Sequence, residues 1–215
     1  MIISLGRKYI FVHAPKTAGT SMALALEGRA MKDDIMLGDT PKAIKRRRRL
    51  KEVKTHGRLW KHSTLTDIDG LISPEQLNDL FAFTLVRNPW DRMVSYYHWL
   101  KQQSFAHPAV TLAKSADFQA FVCAQHTRDT FRNTPAQHYM TDINGQERCD
   151  AYIRIEHFDQ DVTDLSDHLG FDLNLEHVNK STRREGYQSY YNAESQKSVC
   201  ESCAVDIERF GYSFD

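Results

Sequence analysis

Residues 8–21 read Lys8-Tyr9-Ile10-Phe11-Val12-His13-Ala14-Pro15-Lys16-Thr17-Ala18-Gly19-Thr20-Ser21. The run Tyr9-Ile10-Phe11-Val12 is continuously apolar and rich in β-formers, which predicts a buried, parallel-type strand over 8–13. Ala14 to Gly19 is a turn. Thr20 or Ser21 caps a following helix, Met22 to about Met31, whose Ala, Leu and Met content favours that state. At such a helix start the N–H groups and the helix dipole hold anions. The loop that would do so is Pro15, Lys16, Thr17, Ala18, Gly19, Thr20 and Ser21. Gly19 lets the backbone approach an oxygen closely. Thr17, Thr20 and Ser21 offer hydroxyls, and Lys16 offers a mobile cation. The arrangement is P-loop-like, but GxxxxGK(S/T) is absent and the lysine precedes the glycine. A Walker-type Mg-nucleotide site is therefore disfavoured. The bland alternative is an ordinary capped helix start.

Phe81-Ala82-Phe83-Thr84-Leu85-Val86 is a second strand, ending at Arg87. Asn88 caps the next helix, Pro89 fits its first position, and Asp91 sits where the dipole favours it. Trp90, Met93, Val94 and Tyr97 fall on one buried stripe, and the helix runs to about Gln103. Arg87, at the carboxyl edge of its strand, is placed either to clamp a phosphate with its fork or to make a structural ion pair. Ser95 lies about 9 Å along the helix from Pro89. It is too far for the N-terminal amides and would meet a second anionic group on the helix flank.

The remaining chain supplies a third strand at 151–155, a helix from His157 to Leu169 ended by Gly170, and a terminal helix from Ser195 to Phe210 closed by Gly211. Thr40-Pro41 opens a basic helix over 40–54. Ser63 or Thr64 caps a short helix toward Leu71, Ser73-Pro74 opens another, and 117–126 is helical. Strands joined by helical crossovers make this an α/β chain. The expected architecture is a P-loop-like three-layer fold with a mostly parallel central sheet flanked by helices, in a single domain over 1–215.

With 215 residues, 41% apolar and 26% charged, the chain has a globular composition. No apolar run approaches the ~20 residues of a membrane span. Arg7 and Lys8 interrupt the first apolar stretch, which reads poorly as a secretory signal. Four cysteines do not make a disulfide scaffold, so the cytoplasm is the expected compartment. Cys200-Glu201-Ser202-Cys203 is a lone CxxC that reads as packing, and no metal is implied. Positions 1–61 carry 15 Lys/Arg against 5 Asp/Glu, and the rest carry 13 against 23. The centre of the basic part, Lys45 to Arg49 with Lys51 and Lys54, either attracts an anionic partner or is a solvated helix face. It lacks the interleaved aromatic rings of a single-strand nucleic-acid platform, and no nucleic acid is expected.

FVHAPKTAGTS (residues 11–21) resembles the 5′-phosphosulfate loop of the sulfotransferase superfamily, and TLVRNPWDRMVSYYH (84–98) resembles its 3′-phosphate motif. The likeness is to the branch holding carbohydrate sulfotransferases and their small bacterial relatives. Ile155-Glu156, Asn179-Lys180-Ser181-Thr182 and the segment Asp206 to Tyr212 extend it over nearly the whole chain. The resemblance implies transfer of a sulfuryl group from 3′-phosphoadenylyl sulfate (PAPS). Lys16 would contact the 5′-phosphate and bridging oxygen, while Thr17, Gly19, Thr20 and Ser21 cradle the phosphosulfate. Arg87 and Ser95 would bind the 3′-phosphate, and Ser181, Arg183 and Arg184 would cover the nucleotide.

Such a transfer aligns an acceptor oxygen with the leaving phosphate oxygen and needs a base near neutral pKa. Histidine suits this. His62, in Trp60-Lys61-His62-Ser63 between the two motifs, is the first candidate, by likeness to the base of the carbohydrate branch. His56 is the second, and His13 braces the loop from the strand. Trp60 and Trp99 can stack adenine or sugar. The acceptor is a hydroxylated molecule, with an anionic glycan fitting the basic run. Sequence alone leaves open a phosphotransferase using the same loop and a non-catalytic anion-binding module.

Overall fold

Five strands form one sheet in the order β3-β1-β2-β4-β5: β1 Ile2–Ser4, β2 Tyr9–Val12, β3 Ile35–Met36, β4 Phe81–Val86 and β5 Ala151–Arg154. The computed structural model describes residues 1–175 and 186–215. These gather into two compact units: Met1–Val86 with the described part of Ala136–Asn179, and Arg87–Pro135 with the described part of Lys180–Asp215.

The first unit holds the sheet. β2 pairs with β4 and β4 with β5 in parallel, Tyr9 facing Phe81 and Phe83 facing Ala151. These are the three strands expected from the apolar runs. β1 and β3 add an antiparallel edge, so the sheet is mixed rather than mostly parallel. The reason is connection length. Only Leu5 to Lys8 separate β1 from β2, and a parallel crossover needs a dozen residues or more.

β2 is buried on both faces, which explains its unbroken apolar run. Tyr9 and Phe11 point into a core with Phe83, Leu85, Ile153, Leu165 and Met22 and Leu26 of helix α1, Gly19–Gly28. Ile10 and Val12 point into an opposite core with Ile3, Leu65, Ile68, Leu80 and Met140. The expected basic helix is short: α2, Pro41–Arg46, passes into a single 3₁₀ turn, Arg47–Leu50. The helix expected from Ser63 toward Leu71 is instead a series of turns. Gly70 there has φ +90, and a Cβ on it would lie 2.7 Å from the Lys54 carbonyl oxygen. Ser73 closes a capping box at the start of α3, Pro74–Asn78, as its sequence predicts.

The second unit is helical. In α4, Pro89–Lys101, the Asn88 side chain accepts from the Trp90 and Asp91 amides. Trp90, Met93, Val94 and Tyr97 bury their stripe against Phe118, Phe121, Phe131 and Val199. The expected terminal helix breaks at Cys203 into Ala193–Ser202 and Ala204–Phe210, and Gly211 closes it in the left-handed conformation. Among the described residues no helix is long and apolar enough to cross a membrane.

Candidate functional site

The loop after β2 is wound tightly. Lys16 and Ala18 both adopt left-handed backbone, with φ of 66 and 59, conformations that a Cβ makes costly. Thr17 between them is not left-handed, so the backbone changes hand twice within three residues. Ala18 is the residue before α1 and makes no side-chain cap, so neither Thr20 nor Ser21 fills that role. The Ser21 and Met22 amides turn back to the Ala18 carbonyl. Those of Gly19 and Thr20 are left at the mouth of the helix. Thr20 is exposed, whereas Ser21 is buried. Thr17 departs from expectation: its hydroxyl, buried, donates to the Ala14 carbonyl at 2.9 Å. It ties the loop shut rather than presenting a donor.

His13 stands behind this loop. Its ring packs so closely on Gly19 that any Cβ there would enter the imidazole. Close packing against His13 therefore requires glycine at 19. The His13 ring is buried and lies near Lys16, Lys61, His62 and the N-terminal amine. Burial first, and then these charges, hold its pKa well below the ordinary histidine value, so it is neutral.

His62 meets the same residue from the other side. Its Nδ1 lies 2.8 Å from the His13 carbonyl oxygen, and the two rings sit edge to face with centroids 4.5 Å apart. A carbonyl only accepts, so Nδ1 carries the proton and the lone pair of the neutral ring belongs to Nε2. That is the tautomer a general base needs. Trp60 stands edge-on to His62, with centroids 5.0 Å apart. Lys61 is held by Asp39 at 2.9 Å, and this hydrogen bond lowers the Asp39 pKa. The turn that carries these residues is organised by Ser63, whose fully buried hydroxyl accepts from the Trp60 amide. The sequence reading gave Ser63 only a helix-capping role and not this one. Its position three residues after Trp60, the spacing of a side-chain-closed turn, is the signal that could have found it.

His56 is exposed. Its backbone amide bonds the Asp69 carbonyl, and no contact among the described residues joins it to the loop. In the basic run, Arg46, Arg47 and Arg49 donate to the carbonyls of Asp34, Gly38 and Lys32. They fasten the preceding loop, while Lys45, Arg48 and Lys51 are exposed.

In the second unit, Arg87 Nε and Nη2 donate to Asp91 Oδ2 at 2.8 and 2.5 Å. The ion pair that the sequence left open is therefore made. Asp91 and Ser95 are successive steps of one i,i+4 row on α4, so Arg87 folds along the flank where Ser95 stands half-buried. Cys203 packs in the helical core, where burial pushes its thiol up to about 12. Ser181, Arg183 and Arg184, like Asn179 to Thr182, lie outside the described residues. Among the described residues no three His, Cys, Asp or Glu side chains are grouped to hold a metal ion.

The sequence matches the model described as "Sulfotransferase family" over residues 1–213. No curated protein matches it. Among solved structures it is similar to the mouse sulfotransferase SULT7A1 complexed with PAP, with TM-score 0.51 and 15% identity. The match covers 94% of this chain and 84% of that one. At that identity the likeness speaks for the fold, an α/β sheet flanked by helices. A family model spanning both strand ends and almost every residue decides the assignment: the chain belongs to the sulfotransferase family.

Proposed function

We propose that the chain transfers a sulfuryl group from PAPS to an acceptor hydroxyl, in the first instance that of an anionic carbohydrate, with residues 1–215 acting as one domain. The observation that carries this reading is His62 beside the loop, its Nδ1 proton directed to the His13 carbonyl at 2.8 Å. In this reading Lys16, the Gly19 and Thr20 amides and the Thr20 and Ser21 hydroxyls hold the 5′-phosphosulfate, while Pro15, Thr17 and Ala18 shape the backbone. Arg87 and Ser95 take the 3′-phosphate, and Ser181, Arg183 and Arg184 cover the nucleotide. The PAP complex of the mouse neighbour supports the donor assignment.

His62 Nε2 takes the acceptor proton as the acceptor oxygen bonds to sulfur. The bond from sulfur to the 5′-phosphate oxygen breaks, and Lys16 balances the charge that builds on that oxygen. His56 is second choice as base. The exposed cations Lys45, Arg48 and Lys51 favour an anionic acceptor. The unpaired thiols of Cys123, Cys149, Cys200 and Cys203 support a reducing compartment, the cytoplasm.

Calorimetry with 3′-phosphoadenosine 5′-phosphate (PAP) tests the donor site. Wild type should bind and Lys16→Ala should bind much more weakly. Binding of acidic polymer that survives loss of both Lys16 and Arg87, without affinity for PAP, would mean a non-catalytic module instead.

A further inference from the structure

We propose that Trp60 and Arg58 form the acceptor subsite, and that the ring they receive is an acidic sugar. This rests on His62 being the base. Trp60 is 45% exposed, whereas Trp90 is buried at 4%. Its indole stands at 86° to the His62 ring, with centroids 5.0 Å apart, and the Arg58 Cζ lies 6.0 Å from the indole centroid. This exposed aromatic is not on a loose loop. The Ser63 hydroxyl accepts the Trp60 amide at 2.9 Å and donates to the Arg58 carbonyl at 2.9 Å, while the Ser63 amide returns to the Trp60 carbonyl. One buried side chain thus fixes the backbone of both residues.

The direction of the chemistry decides what the indole meets. In-line transfer puts attacking and leaving oxygens on opposite sides of sulfur. The base accompanies the attacking oxygen, and the adenine lies beyond the leaving one. A ring in edge contact with the base is therefore on the acceptor side. An indole offers a broad flat apolar face, which suits the C–H face of a pyranose while the sugar hydroxyls turn toward His62. The guanidinium beside it matches a carboxylate or sulfate with two parallel hydrogen bonds. The neighbouring cations Lys61 and Arg47 are already engaged by Asp39, whereas Arg58 pairs with no carboxylate among the described residues.

Transfer from labelled PAPS is measured to a uronate-containing tetrasaccharide, a neutral tetrasaccharide and 2-naphthol, with PAP affinity followed by calorimetry. Trp60→Ala should raise KM for the acidic probe by about tenfold or more, and Trp60→Phe by a smaller factor, both without change in PAP affinity. Arg58→Gln should abolish the preference for the acidic over the neutral saccharide. A tenfold loss of PAP affinity in Trp60→Phe would put the indole under adenine and overturn the proposal. So would an unchanged KM in Trp60→Ala, or a wild type that binds PAP but prefers 2-naphthol or leaves the acidic probe untouched. A wild type that binds no PAP overturns the donor reading and this subsite with it, a failure visible before any acceptor is added.

Discussion

The imidazole of His13 and the α-carbon of Gly19 are in direct contact, so the end of a central strand and the first turn of a helix meet without room for a methyl group. Gly19→Ala must push the ring or the loop aside. Overpacking of this kind costs about 1–3 kcal/mol. The variant should melt earlier and bind PAP more weakly than wild type. Adding His13→Ala should restore part of both losses, as a double-mutant cycle read by thermal melts and calorimetry would reveal.

Removing the base should separate chemistry from binding. His62→Ala is expected to keep PAP affinity and lose about 10²-fold in turnover. Near-normal turnover in that variant would move the role to His56.

His13 also predicts a pH dependence. Its folded pKa is depressed by burial, so between the ordinary histidine value near 6.5 and its folded value the unfolded chain binds a proton that the native chain does not. Stability should therefore fall as pH drops below about 6.5. The salt-bridged carboxylates Asp39, Asp142 and Asp161, whose pKa values are lowered, contribute their loss only at more acid pH. Urea unfolding at pH 7 and pH 5 should show a smaller drop in His13→Gln than in wild type. An equal drop would remove His13 as the source.

Arg87 is shared between Asp91 and, in our reading, a phosphate. Arg87→Ala should weaken PAP by about ten- to a hundredfold, the scale of charged hydrogen bonds. Adenosine 5′-phosphate, which lacks the 3′ group, should be affected little. If both nucleotides weaken equally in calorimetry, the arginine only supports the fold of α4.

The basic run should divide by what its side chains touch. Arg46→Ala removes a hydrogen bond to the Asp34 carbonyl and should lower the melting temperature by a few degrees, in line with about 1 kcal/mol. Arg48→Ala should leave the melting temperature unchanged.

The parallel half of the sheet was legible because β2 and β4 are buried on both faces, and such strands write themselves as unbroken apolar runs. β1 was not, since Met1-Ile2-Ile3 is short and its pairing depends on a hairpin. Asn88-Pro89 and Ser73-Pro74 announced their helices through local capping chemistry. The turns from Ser63 to Leu71 imitate a cap, but Gly70 then adopts φ +90 with the Lys54 carbonyl where a Cβ would sit, a non-local neighbour that local capping signals do not carry. At the site, the loop was readable from glycine, lysine and hydroxyl spacing. The Thr17 bond to Ala14 and the Arg87 pair with Asp91 depend on side-chain direction. The second was within reach, since the residues stand four apart.

Lys16 and Ala18 occupy backbone angles at which a glycine would rest without penalty. A glycine at 18 would relieve that cost, because the alanine methyl group biases the backbone toward other shapes. The segment is therefore held against its own preference by its neighbours: the Thr17 hydroxyl on the Ala14 carbonyl and the Ser21 and Met22 amides on the Ala18 carbonyl. The tightness of this corner belongs to the folded surroundings and not to the residues that make the corner.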